Sequence, residues 1–204
     1  MNCQIVVIDF GSQVTKLIAR RIRELGVYCE IVPFQNITKS FLKNSLDLKG
    51  FVLSGGPASV SDKKSPKIEK EILKLNIPLL GICYGAQLLC KIFGGTILKS
   101  QNREFGGARL ELRKKSPLTN KINFLRKNNQ VWMSHSDVIT KLPVNFEIVS
   151  QTQNNVNAIF QNIKMRIFGV QFHPEVTQTI QGKKIFKNFI FDVCGCKKDW
   201  NVKL

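Results

Sequence analysis

The first hundred residues alternate two hydrophobic patterns. Residues 4–10, QIVVIDF, form an unbroken apolar run with many β-branched side chains, as in a strand covered on both faces. Gly11 and Ser12 turn the chain, and residues 13–25 then set Val14, Leu17, Ile18, Ile22 and Leu25 on one helical stripe that Gly26 ends. The alternation repeats as a strand over 28–33, a helix near 38–45, a strand over 50–54 and a Gly-Gly-Pro loop. A helix over 66–75, a strand over 77–82 and a helix over 84–93 complete it. Repeated β-α units predict a parallel sheet with helices on both faces.

From residue 94 the pattern changes. Short strand-like runs at 96–98, 108–112, 130–133, 146–150, 158–161 and 166–171 are separated by polar turns, which predicts antiparallel strands flanking the parallel core. Residues 180–193 read as a closing helix. The expected class is therefore α/β, with a mostly parallel central sheet and a smaller antiparallel one. With no internal repeat and no low-complexity linker, residues 1–204 read as one domain. The polar tail 196–204 ends just after Trp200 and reads as the start of a connection.

At 43% hydrophobic and 22% charged residues the chain can build a substantial core. No apolar run approaches the ~20 residues of a membrane-spanning helix, and MNCQIVVIDFG lacks the features of a secretory signal, so a cytosolic protein without a membrane partner is expected. In that compartment the six cysteines should stay reduced. Cys3, Cys29 and Cys90 sit in apolar segments as small core residues. Cys194-Gly195-Cys196 has no second Cys pair or His nearby to complete a tetrahedral site, so no metal is expected.

Charge raises a rival. The 31 Lys+Arg against 14 Asp+Glu give a formal charge of +17, which would attract a polyanion. The basic residues are scattered, however, with no cluster longer than Arg113-Lys114-Lys115, and no helix-turn-helix, zinc-finger or RNP pattern accompanies them. Nucleic acid is not expected as the ligand; a basic face against an acidic or nucleotide-handling partner remains open.

The chemistry concentrates at Gly81-Ile82-Cys83-Tyr84-Gly85, a G-x-nucleophile-x-G pattern between a predicted strand and a predicted helix. Such an elbow lifts its central side chain above the sheet edge in strained geometry, so the flanking positions must be nearly bare. The helix N-terminus favours negative charge on the sulfur. The nucleophile needs a proton acceptor, and the chain has two histidines. His173 follows a strong strand in Val170-Gln171-Phe172-His173-Pro174-Glu175, with Glu175 placed to orient it. His135 competes, because it too follows a strand and has Asp137 beside it. Ser54-Gly55-Gly56-Pro57, after the preceding strand, offers backbone N–H groups to an oxyanion, together with the N–H of Tyr84.

These stretches resemble the class-I glutamine amidotransferases and, within them, the glutaminase domains of GMP synthases. The similarity rests on GICYGAQ at 81–87, LSGGPASV at 53–60 and GVQFHPEV at 169–176, in the family's order. It is narrowed by the opening VIDFGSQVTK, REFGGA from Arg103, VWMSHSD from Val131 and the ending NFIFDVCGCKKDW. The resemblance implies a flavodoxin-like fold and a Cys83–His173–Glu175 triad working through a glutamyl thioester. It also implies an oxyanion hole of Gly56 and Tyr84, and a glutamine pocket shaped by Gly55, Gln87, Ser134, His135, Ser136 and Asp137. The family's ammonia goes to an ATP-pyrophosphatase synthetase partner that uses ATP and Mg²⁺ to convert XMP to GMP, so no cofactor is expected in this chain.

Val14, Ala86 and Ser136 depart from the family's usual Tyr, Met and Gly. The CGCKKDW ending, typical just before the synthetase domain of two-domain forms, favours an excised domain over a separate subunit. Other readings left open by the residues are the glutaminase of another amidotransferase, a stand-alone cysteine hydrolase of the same fold, and a non-catalytic glutamine binder.

Overall fold

The computed structural model describes residues 3–44, 47–125 and 128–201, with backbone alone for 100–104. Strands β1 (Ile5–Asp9), β2 (Cys29–Pro33), β3 (Gly50–Leu53) and β4 (Leu79–Ile82) are those expected from the continuous apolar runs. Helices α1 (Thr15–Glu24), α2 (Lys39–Lys43) and α3 (Tyr84–Ile92) fall between or after them. Thr38 caps α2 by accepting from the Phe41 N–H; the expected end of that helix at residue 45 lies outside the described residues. Strands β5 (Thr96–Leu112), β6 (Gln130–Lys141), β7 (Glu147–Thr152), β8 (Asn157–Asn162) and β9 (Ile167–Val170) follow, and helix α4 (Gly182–Lys187) closes the fold.

The sheet order is β2-β1-β3-β4-β9-β8-β7-β5-β6. The first five strands are parallel, and β8, β7 and the end of β5 continue the sheet antiparallel. Most of β5 leaves that sheet to pair with β6 as a smaller antiparallel ribbon. Side chains alternate strictly across the parallel part. Ile5, Val7, Val52, Leu80, Ile82, Phe168 and Val170 pack with α1 and α4 through Ile18, Ile22, Ile185 and Phe186, while Val6, Ile8, Phe51, Leu53 and Leu79 pack with Leu88 and Leu89 of α3. Both faces are therefore dry, which is why these strands read as unbroken apolar runs.

Three expectations are corrected. The helix expected over 66–75 is only a 3-10 turn at Lys70–Leu75. Lys67, Lys70 and Lys74 recur at helical spacing and repel one another, and Lys67 falls at the positive end of the dipole that a full α-helix would have, which opposes that helix. The closing helix becomes α4 followed by a π-helical turn at Asn188–Val193. The buried Asn188 amide there donates to the Leu118 and Asn120 carbonyls, and the Cys194 N–H reaches back five residues to Phe189.

Finally, β5 and β6 run far beyond the short segments expected. On β6 the inward positions are Val131, Met133, His135, Asp137 and Ile139, so the period of two persists although two inward side chains are polar. All six cysteines are free thiols. Among the described residues no helix is long and apolar enough to cross a membrane.

Candidate active site

Cys83 stands at the apex between β4 and α3 with φ 50° and ψ −106°, a conformation that a non-glycine residue adopts only when its surroundings force it. The surroundings do so through main-chain bonds on two sides. The Cys83 N–H donates to the Val170 carbonyl of β9 at 2.8 Å, and the Gly85 N–H donates to the Ser54 carbonyl after β3 at 3.1 Å. The flanking glycines are obligatory on contact grounds. A Cβ at Gly81 would lie 2.6 Å from the Ala86 nitrogen, and one at Gly85 would lie 2.5 Å from the Leu53 carbonyl oxygen.

His173 leaves the carboxyl end of β9 and is held by its own main chain: its N–H donates to the Trp132 carbonyl at 3.0 Å, and its carbonyl accepts from Thr179 Oγ1 at 2.6 Å. Its Nδ1 is 2.7 Å from Oε1 of Glu175, a carboxylate with no solvent exposure. Cys83 lies across the same cleft wall and raises the affinity of the ring for a proton. With Nδ1 on Glu175, Nε2 is the nitrogen left for sulfur. Burial pulls the His173 pKa down, but Cys83, the bond to Glu175 and the charges of both outweigh it and hold the imidazole at about 10. The ring is thus a stored proton between a sulfur and a carboxylate. Helix α1 supports it from behind, where Arg21 Nε donates to the Glu175 main-chain carbonyl at 3.0 Å.

In front of the sulfur opens a cleft of about 390 Å³. It is built from the carboxyl ends of four parallel strands: Gly11, Ser12, Gln13 and Val14 after β1, Gly56 and Pro57 after β3, Cys83 after β4, and His173 and Val176 after β9. Trp132 and Ser134 of β6 form the remaining wall. Because β1 connects to β2 on one side and pairs with β3 on the other, the chain reverses its direction of winding there, and open α/β sheets leave a crevice at such a point. The Gly56 and Tyr84 N–H groups donate to no protein acceptor among the described residues. Gly55 packs against the imidazole; a Cβ there would be 3.1 Å from His173 Cε1.

The remaining expected pocket residues divide. Ser134 lines the cleft, and its carbonyl lies 3.7 Å from Cys83 Sγ. Ser136 is exposed farther along the same face of β6. Gln87, His135 and Asp137 are buried beside the cleft and do not line it. Gln87 Nε2 donates to the Asp137 main-chain carbonyl at 3.0 Å, and Ser59 Oγ donates to the Asp137 carboxylate. Burial drives the His135 pKa down to about 4, and the positive charge of His173 pushes the same way. Of the two histidines, His173 is the one that bridges Cys83 and a carboxylate.

Gly11, Ser12, Gln13, Val14, Trp132 and Val176 line the cleft without being among the site residues expected from the sequence. The Gly11-Ser12 turn at the end of the first strand was the available signal, since it is one side of the winding reversal. Trp132 and Val176 gave none without the fold.

Residues 6–193 match the profile of the family Glutamine amidotransferase class-I. The chain belongs to that family. Among curated relatives, this class-I amidotransferase is 46% identical over 198 residues to "GMP synthase [glutamine-hydrolyzing]" of Caldanaerobacter subterraneus subsp. tengcongensis, covering 97% of this chain and 38% of that protein. It is 45% identical over 202 residues to the protein of the same name in Mesoplasma florum, covering 98% and 38%. The chain thus spans well under half the length of these relatives. Among solved structures it resembles a Thermoplasma acidophilum protein provisionally assigned as one subunit of a GMP synthase, with TM-score 0.76 and 32% identity over 96% of this chain and 95% of that one. A glutamine amidotransferase from Methylobacillus flagellatus shares the fold at TM-score 0.71 and 14% identity, over 100% and 99% of the two chains.

Proposed function

We propose that this chain hydrolyses L-glutamine to glutamate and ammonia, and that a synthetase domain or subunit uses the ammonia to aminate XMP to GMP. The observation that carries the hydrolysis is a single imidazole held between a buried carboxylate and a strained cysteine at the mouth of a cleft. The GMP assignment comes from the names of the relatives that match nearly the whole chain at 45–46% identity. Their additional length fits an ATP-pyrophosphatase partner, and the ATP and Mg²⁺ chemistry belongs there. A cytoplasmic location accords with that metabolic role.

In the proposed reaction the Cys83 sulfur adds to the side-chain amide carbon of glutamine, and the carbonyl electron pair moves to oxygen. The N–H groups of Gly56 and Tyr84 receive that oxyanion. His173 gives its Nε2 proton to the amide nitrogen, the C–N bond breaks, and ammonia leaves a glutamyl thioester. Water then adds to the thioester with its proton passing to His173, and the C–S bond breaks to return the sulfur and release glutamate. Glu175 stays charged throughout and keeps the imidazole turned toward sulfur. Gly55 and Ser134 shape the pocket from its rim, Ser136 from farther along β6, and Gln87, His135 and Asp137 from behind.

The test is glutamate and ammonia release from glutamine by the chain alone and with an ATP-pyrophosphatase partner supplied with XMP, ATP and Mg²⁺. Slow release alone, acceleration by the loaded partner and no release by Cys83→Ala are expected. An electrophilic glutamine analogue should form its adduct on Cys83. Burial pushes the Cys29 and Cys90 thiols up to about 12, which keeps them as unreactive thiols near neutrality, so an adduct on either would overturn the assignment.

A further inference from the structure

Behind Cys83 lies a chain of buried amides whose effect on the sulfur the proposed reaction leaves out. Gln171, with no solvent exposure, follows β9 two residues before His173, and Gln87, 3% exposed, lies one turn into α3. Gln87 Nε2 spends its two hydrogens on the Asp137 main-chain carbonyl at 3.0 Å and on Gln171 Oε1 at 3.4 Å. This fixes which way the second amide faces: with its oxygen taken by Gln87, Gln171 presents its NH₂ to Cys83 Sγ at 3.9 Å. The other end of the chain is Asp137, whose carboxylate accepts from Ser59 in the loop that carries Gly56.

The sulfur therefore meets two kinds of neighbour. The Ser134 carbonyl at 3.7 Å is an acceptor and can bond the sulfur only while it carries its S–H hydrogen. The Gln171 amide is a donor and gains when sulfur is charged, because hydrogen bonds to an ionised acceptor are the stronger ones. We infer that Gln171, its amide oriented by Gln87, is a positioning residue that holds Cys83 Sγ and favours its charged, attacking form over the thiol turned toward Ser134. The inference concerns the same site as the glutaminase reading and rests on it for its place in catalysis. The other titratable groups around the sulfur are His173 with Glu175 behind it, from the exit of β9, and His135 with Asp137, from β6.

The test needs no glutamine. The rate of Cys83 alkylation by iodoacetamide is followed against pH in the 204-residue chain and in Gln171→Met and Gln171→Glu. Methionine keeps the length and removes the donor, so alkylation on the acid limb should slow about fivefold, the effect of losing about 1 kcal/mol of hydrogen bonding to the charged form. Glutamate replaces the donor with an acceptor and a charge, and should move the profile to higher pH than methionine does. With glutamine and partner, kcat should fall while KM stays within about twofold. A lowered urea midpoint with an unmoved alkylation profile would mean a purely structural amide and overturn the inference. If the Gln171 variants do not fold, Gln87→Met releases the orienting bond and should shift the profile the same way by less, an unchanged profile again counting against it. Should wild type release no ammonia from glutamine even with partner, the glutaminase reading fails while the alkylation profiles still decide the role of Gln171.

Discussion

His173, which lines the cleft, and His135, buried beside it, are driven in opposite directions. Each loses solvation on burial, which lowers its affinity for a proton. His173 recovers it and more, because the Glu175 carboxylate is 2.7 Å from its Nδ1 and Cys83 engages the same ring. His135 recovers less: the Asp137 main-chain bond and carboxylate pull its affinity back only in part, against burial and the neighbouring positive charge. In the proposed reaction only His173 can deliver a proton to the departing amide nitrogen. Its replacement by alanine should lower kcat with glutamine by about 10³-fold, within the range for losing a general acid–base, and should slow Cys83 alkylation near neutrality. His135→Ala should keep kcat within about tenfold and leave the labelled residue unchanged. Rates of ammonia release and of alkylation for the two variants separate the roles, and the reverse order of losses would transfer the base to β6.

At the scale of elements, the turn joining β4 to α3 is where the sequence was most explicit, and the reason is steric. Only glycine fits at positions 81 and 85, so the turn had to be spelled out in the chain. Gly85→Ala should destabilise the fold by about 2–4 kcal/mol, because its Cβ would sit 2.5 Å from the Leu53 oxygen and β3 would have to part from α3. Gly94→Ala is the comparison: its φ of +92° makes alanine strained, but nothing lies within 4 Å, so about 1 kcal/mol is expected. Urea midpoints of the two variants measure the difference, and equal losses would mean that α3 can move away at little cost.

The parallel strands were legible for a related reason. Burial on both faces permits only apolar residues, and β1, β3 and β4 follow that rule without exception until Asp9. Strand β6 was legible only as far as Met133, since His135 and Asp137 occupy inward positions where alternation predicts apolar side chains; their polarity belongs to the site, and the pattern breaks there for that reason. The cleft wall was partly hidden, because Trp132 and Val176 reach it only through the ribbon and the β9 exit, which no local pattern announces.

At the scale of the whole molecule the two histidines should set the pH at which the fold is most stable, and the sign differs for each. His173 has its pKa raised from 6.5 to about 10, so the folded state holds its proton more tightly than the unfolded chain does. That contribution is fully present below about pH 6.5 and is lost as pH rises through 10. His135 has its pKa lowered from 6.5 to about 4, so the unfolded chain takes up its proton first on acidification. Its neutral form costs the fold nothing extra above pH 6.5, and stability falls as pH drops from 6.5 toward 4, by about 3 kcal/mol in all. The two limbs together place the stability maximum near pH 6.5, well below the pH of zero net charge implied by 31 basic against 14 acidic residues. Urea unfolding across pH 4–10 should show this maximum in the wild type. His135→Gln should flatten the acid limb and leave the alkaline one, while His173→Gln should flatten the curve between pH 6.5 and 9, above which the raised Cys29 and Cys90 thiols also cost stability, and should make the acid limb shallower by removing the charge that depresses His135. A wild-type curve that rises steadily from pH 6.5 to 10 would show that the proton on His173 does not stabilise the fold, and with it the buried pairing of imidazole to Glu175 would lose its energetic role.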